Sequence, residues 1–274
     1  MGHANISSKL LFITVTAMQN TNLEYSIQNR AALTTRFNLS HVDSSWHDCI
    51  NNALNTVPPD YLEKLQHTTD WLPGHDMIFN AFSLPVSAVN YVLLGESPYP
   101  RAQSANGYAF WDAAVTDLWS ETGLSKPVNR ATSLRNIIKM LLIIENKLDP
   151  AHTTQTDIAN INKSSLVQTN NEFFSNLLNH GFLLLNASLV LQPSHVKLDA
   201  RAWRHFLAAV LHFLIEKRPQ VEFILLGNIA NEIDPLIPQP GIKKLYAEHP
   251  YNISFIHNPV VQEFFKPLHL LVKK

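Results

Sequence analysis

The stretch "LLGESPYPRAQSANGYAF", Leu93 to Phe110, decides the reading of this chain. A short apolar run meets Gly95. Glu96, Ser97, Pro98, Tyr99 and Pro100 follow at once, and a polar loop then ends in the aromatic Phe110. This pattern reads as a strand-to-loop turn built around a small planar ligand. In open α/β sheets, ligands sit beyond the carboxyl ends of the strands.

Working outward, "AVNYVLLG" (88–95), "GFLLLNAS" (181–188) and "VEFILLG" (221–227) are apolar runs bounded by turn residues. Such runs suit strands buried on both faces of a parallel sheet. "IKKLYAEHP" (242–250) is less apolar and ends in His-Pro. In "ARAWRHFLAAVLHFLIEK" (200–217), Trp203, Phe206, Leu207, Val210, Leu211 and Leu214 recur at helical spacing, which predicts an amphipathic helix on the sheet. "SLRNIIKMLLIIENKL" (133–148) predicts a second helix with Ser133 as its N-cap. The polar segment 151–171 reads as a long surface loop. The order implies an α/β fold, a three-layer α/β/α sandwich around a mostly parallel four-stranded sheet. Residues 1–43 are expected to form an N-terminal extension, and 44–274 one domain.

Composition narrows the function. The chain has 274 residues, 46% of them hydrophobic, enough for one full core. With 16% charged residues and a formal net charge of −1, any nucleic-acid surface must be a local patch. A single cysteine, Cys49, excludes an intramolecular disulfide, a multi-cysteine zinc site and a four-cysteine iron–sulfur cluster, and fits a reducing cytoplasm. No apolar run approaches the ~18 residues needed to span a membrane. The apolar "SKLLFITVTAM" near the start reads as part of the extension rather than a signal peptide.

The pieces together resemble the uracil-DNA glycosylases over roughly residues 45–271. The family's GQDPYH motif appears here as "GESPYP", and its following aromatic as Phe110. Its LLLN strand appears as "FLLLNAS", its LLWG strand end as "ILLG", and its HPSPLS motif as "HPYNIS". The resemblance implies a DNA repair enzyme that flips a base from the stack and hydrolyses its N-glycosidic bond. It implies no metal or redox cofactor, a DNA partner in single- or double-stranded form, no membrane association and a monomer.

Residue by residue, the resemblance assigns Asn186 to the uracil edge, because an amide both donates and accepts. Phe110 would stack on the base, and Tyr99 would crowd its C5 position and exclude a methyl group. His249 would donate to the uracil O2 as negative charge grows there. Ile253 stands where the family has a leucine that wedges into the duplex. Ser133 and Ser254 match phosphate-contacting serines. Lys243 and Lys244, just upstream of His-Pro, are candidates for steering DNA, with a plain solvated pair as the alternative.

One departure matters most. The family aspartate that orients water and stabilises the cationic sugar is replaced by Ser97, and the family histidine after the tyrosine by Pro100. Poxvirus relatives look similar at this last position. A carboxylate, Glu96, stands one residue earlier, which resembles a second branch of the superfamily whose motif reads GEAPG. That branch holds an iron–sulfur cluster on four cysteines, which one cysteine cannot supply. Glu96 is therefore expected to take over the aspartate's role. Asp112 is a second carboxylate nearby, expected at the N-terminal end of a helix. Trp111 and Trp119 either cover the pocket, serve a partner or simply pack. The alternative function is a weak or inactive glycosylase-fold module that binds DNA or a protein. A small-molecule hydrolase lacks any nucleophile elbow in this sequence.

Overall fold

The computed structural model describes residues 37–237 and 240–273. The apolar stretch near the start lies outside these. Four strands form one parallel sheet: β1 (Tyr91–Gly95), β2 (Phe182–Asn186), β3 (Glu222–Leu226) and β4 (Lys243–Ala247). Their order across the sheet is β2-β1-β3-β4. The apolar runs belong to the three strands that pack tightest. Alternate side chains leave a strand on opposite faces. Val92, Leu94, Leu183, Leu185, Phe223 and Leu225 enter one core, while Leu93, Phe182, Leu184, Ile224 and Leu226 enter the other. Both faces are covered, so both must be apolar.

On the first face lie α1 (His47–Leu54), α2 (Pro59–His67) and the long α5 (Val196–Lys217). The helical stripe expected on α5 is buried from Trp203 to Leu214, and the helix begins at Val196, four residues before the expected segment 200–217. On the second face lie α3 (Thr132–Ile144), α4 (Asn170–Asn179) and α6 (Pro259–Phe265). The result is the three-layer sandwich.

Several local expectations are corrected. Ser133 is the second residue of α3, whose N-cap is Ala131. That helix stops at Ile144, because Asn146 takes a left-handed φ of 54° and turns the chain away. Segment 151–171 is not one surface loop. Thr154 and Asp157 cap each other at the start of a short helix, Gln155–Ala159, and Leu166 and Val167 are buried. Asp112 begins no helix; it lies in a loop between β1 and a small hairpin of Trp119–Ser120 with Gly123–Leu124. The packed body also reaches back before residue 44, since Phe37 and Val42 are buried in the first core.

Candidate active site

Gly95 ends β1 directly beside Asn186 at the end of β2. This register carries the chain from Gly95 into Glu96 at the carboxyl edge of the sheet, and backbone bonds fix the exit: Ala187 N–H to Gly95 O at 2.8 Å and Ser188 N–H to Glu96 O at 3.0 Å. A Cβ at Gly95 would sit 2.5 Å from the Asn186 Oδ1, so only glycine lets the two strand ends approach this closely. His249 arrives two residues after β4. Gly227, with φ +77°, plays the matching part there, because a Cβ on it would lie 2.7 Å from the His249 Cβ.

A cavity of about 240 Å³ opens at this edge. Its walls are Gly95, Glu96, Ser97, Pro98, Tyr99, Pro100, Phe110, Ser133, Asn186 and His249. The structure thus brings together eight residues singled out in the sequence, Glu96, Ser97, Tyr99, Pro100, Phe110, Ser133, Asn186 and His249, with Gly95 and Pro98 beside them.

Asn186 is 3% exposed, and among the described residues no protein group bonds its side-chain amide. Its polar atoms are not sealed in the core; they face the cavity, where an entering ligand can take up their bonding capacity. Phe110 has φ 64°, a backbone conformation strained for a bulky residue. Two bonds hold it there: the Ala109 N–H to Leu184 O at 3.0 Å, and the Tyr99 hydroxyl to Phe110 O at 3.1 Å. Burial, and then the charge of Asp112, push the Tyr99 phenol well above its usual range, so it stays a neutral donor.

The Phe110 and His249 rings lie 6.0 Å apart at 27°. Burial lowers the His249 imidazole below its ordinary 6.5, and the Glu96 carboxylate opposes this. The Tyr251 backbone N–H donates to His249 Nδ1 at 3.1 Å. An amide N–H can only donate, so the neutral ring carries its proton on Nε2.

Asn136 was not singled out in the sequence. It is fully buried on α3, and its amide donates to Pro250 O at 2.7 Å and Tyr251 O at 3.4 Å. It pins the segment that carries His249. One amide inside an otherwise apolar helix face was the signal available. Asp112 is a structural group: 2% exposed, it pairs with Arg101 at 3.1 Å and accepts from Ala114 N–H. Trp111 stacks on Phe174 and Trp119 donates to Val167 O, so both pack rather than cover the cavity.

Ile253 is 57% exposed on the turn Ile253–His257. Ser254 follows it, exposed, with its hydroxyl bonded to Glu248. The two lysines are not part of this assembly. They begin β4, whereas His249 follows its end, so roughly 13 Å of strand lies between. Lys244 is bound to Asp234 at 2.7 Å and to Ile237 O. Nearness in sequence misleads here, because a parallel strand carries its two ends to opposite edges of the sheet.

The uracil-DNA glycosylase of Streptococcus agalactiae is 30% identical over 222 residues, covering 77% of this chain and 85% of its own. The chain belongs to the uracil-DNA glycosylase family. A second member, from Chlamydia felis, is 27% identical over 87% of the chain and 93% of its own length. The crystal structure of wild-type UNG from Nitratifractor salsuginis superposes with a TM-score of 0.81, at 38% identity, over 91% of this chain and 98% of that one. Mimivirus uracil-DNA glycosylase shares the fold, at 19% identity, a TM-score of 0.51 and coverage of 78% of this chain and 72% of that one. No family profile matches the chain. Among the described residues, no helix is long and apolar enough to cross a membrane.

Proposed function

We propose that this glycosylase hydrolyses the N-glycosidic bond of uracil in DNA, with Glu96 in place of the family aspartate. The flipped base enters between Phe110 and the strand ends. The Asn186 amide donates to one polar atom of the uracil edge and accepts from the next. Tyr99 blocks a methyl group at C5. His249 Nε2–H donates to O2, where negative charge grows as the bond breaks; a fixed donor aimed at developing charge is worth about 10²–10³ in rate.

Glu96 sits at the mouth, where the sugar would lie, and its charge already reaches His249. A carboxylate there stabilises the cationic sugar and holds the attacking water, taking its proton as the C–O bond forms. Ser97, uncharged and half-buried, can do neither. No amine is placed to attack the sugar, so the products are free base and an abasic site.

The observation that carries this reading is the amide of Asn186, facing the cavity and engaged by no described residue. Its test is an alkali-cleavage assay on a single-stranded oligonucleotide with one uracil. Strand breaks with the wild type that vanish in Glu96→Ala and Asn186→Ala support it. Breaks that persist in Glu96→Ala refute the role of Glu96, and no breaks on single- or double-stranded uracil DNA refute the activity.

A further inference from the structure

Beside the base cavity runs a second, larger groove of about 570 Å³. Tyr99, Pro100 and Ser133 wall both, so the two lie side by side. The groove adds two cations and an aromatic ring to these shared walls: Arg101, Arg130 and Tyr251. We infer that it holds the nucleotide next to the flipped one, with that nucleotide's phosphate between Arg101 and Arg130 and its base against the Tyr251 ring. This rests on the glycosylase reading above.

The two arginines are available in different ways. Arg130 is exposed, and among the described residues no acceptor engages its guanidinium. Arg101 is oriented from below: one nitrogen sits 3.1 Å from the buried Asp112, while the side chain is 59% exposed. A guanidinium offers five donors in a planar fork, so fixing one leaves the others for a phosphate. Asp112 also lines the groove, but it is buried and offsets only Arg101, so two cations against one acid leave the groove net positive and suited to an anion.

Tyr251 is 68% exposed. Its backbone is nonetheless held on both sides, by His249 Nδ1 at its N–H and by Asn136 at the carbonyls of Pro250 and Tyr251. A ring standing in solvent on a pinned backbone loses little freedom when a base stacks on it. A neighbouring base in a single strand is free to do so, whereas in a duplex it is paired and stacked. The groove therefore favours single-stranded uracil DNA.

The test measures KM and kcat on a short single-stranded oligonucleotide with one central uracil. A second arm measures binding, by fluorescence anisotropy, of the same strand carrying a non-hydrolysable uracil analogue. Tyr251→Ala is expected to raise KM about tenfold with little change in kcat, the scale of one base on one aromatic ring, and Tyr251→Phe to restore it. Arg130→Gln should raise KM and flatten the dependence of log affinity on log salt by about 0.7, one phosphate contact on a single strand. Removing the base on one side of the uracil should weaken the wild type about tenfold and leave Tyr251→Ala unmoved. Wild-type KM in both variants, or an equal loss in Tyr251→Ala with and without the neighbouring base, overturns the inference. If the wild type excises no uracil, the glycosylase reading fails, and the binding arm still decides the groove.

Discussion

Two clusters of buried polar groups lie on this scaffold, and they differ in one respect. Around Asp199, 1% exposed, the bonding is complete. Its carboxylate accepts from the Tyr61 hydroxyl at 2.7 Å, the Gln192 N–H at 2.6 Å and the Gln192 amide at 2.8 Å, and Trp203 donates to the same Tyr61 oxygen. Burial and this carboxylate push the Tyr61 phenol far up. At the strand ends, the Asn186 side chain has no partner among the described residues and faces the cavity. A saturated network holds elements together. An amide whose polar atoms face a cavity is left to bond whatever enters it, so its place points to binding.

The contrast is broken most directly by exchanging the readouts. Asn186→Ala is expected to lower the excision rate on single-stranded uracil DNA by about 10³-fold, with a melting temperature close to that of the wild type, since no described residue bonds the amide. Asp199→Ala strands three donors. It should cost about 3 kcal/mol, or roughly 6–12 °C in Tm for a domain of this size, while the folded molecules keep the wild-type rate. Calorimetry beside single-turnover kinetics separates the two.

A smaller effect sharpens the same point without touching a polar atom. Gly95→Ala puts a methyl group 2.5 Å from the Asn186 Oδ1 and 3.0 Å from the Ala109 Cβ. The amide must move, and a misplacement of about 1 Å costs on the order of 10²-fold in rate. A wild-type rate in this variant would mean that the position of the amide does not matter.

Titration compares the pocket with the unfolded chain. His249 is held below 6.5 chiefly by burial, with Glu96 pulling the other way. By NMR, its midpoint should lie below 6.5 and fall further in Glu96→Gln. A histidine with a lowered folded value takes up its proton more readily when unfolded, so its contribution to stability is lost as pH drops below 6.5. Protonation would also set an Nδ1–H against the Tyr251 N–H, so excision should fall over the same acid range. The smallest effect belongs to Lys244. Lys244→Met should lose at most about 1 kcal/mol, since its partner Asp234 is 46% exposed, and the salt dependence of DNA binding should not change.

Much of this was legible in the sequence. Three strands announced themselves because both of their faces are buried, and the order of short motifs located the residues that line the cavity. What escaped depended on contacts between distant segments. Nothing near Asn136 says that it carries the His249 segment, and nothing near Asp112 says that it orients Arg101. Thr154 and Asp157 did carry a capping signal, hidden in a polar stretch. Lys243 and Lys244 stand apart from the cavity because a whole strand separates them from the His249 segment, which nearness in sequence conceals.

The central claim is that the catalytic carboxylate has moved by one residue. It is tested most directly by the single-turnover rate of uracil excision in Glu96→Gln, alone and combined with Ser97→Asp. The account predicts a loss of about 10²–10⁴-fold in Glu96→Gln and a substantial recovery when Ser97→Asp returns an acid to the neighbouring position. An undiminished rate in Glu96→Gln would contradict it.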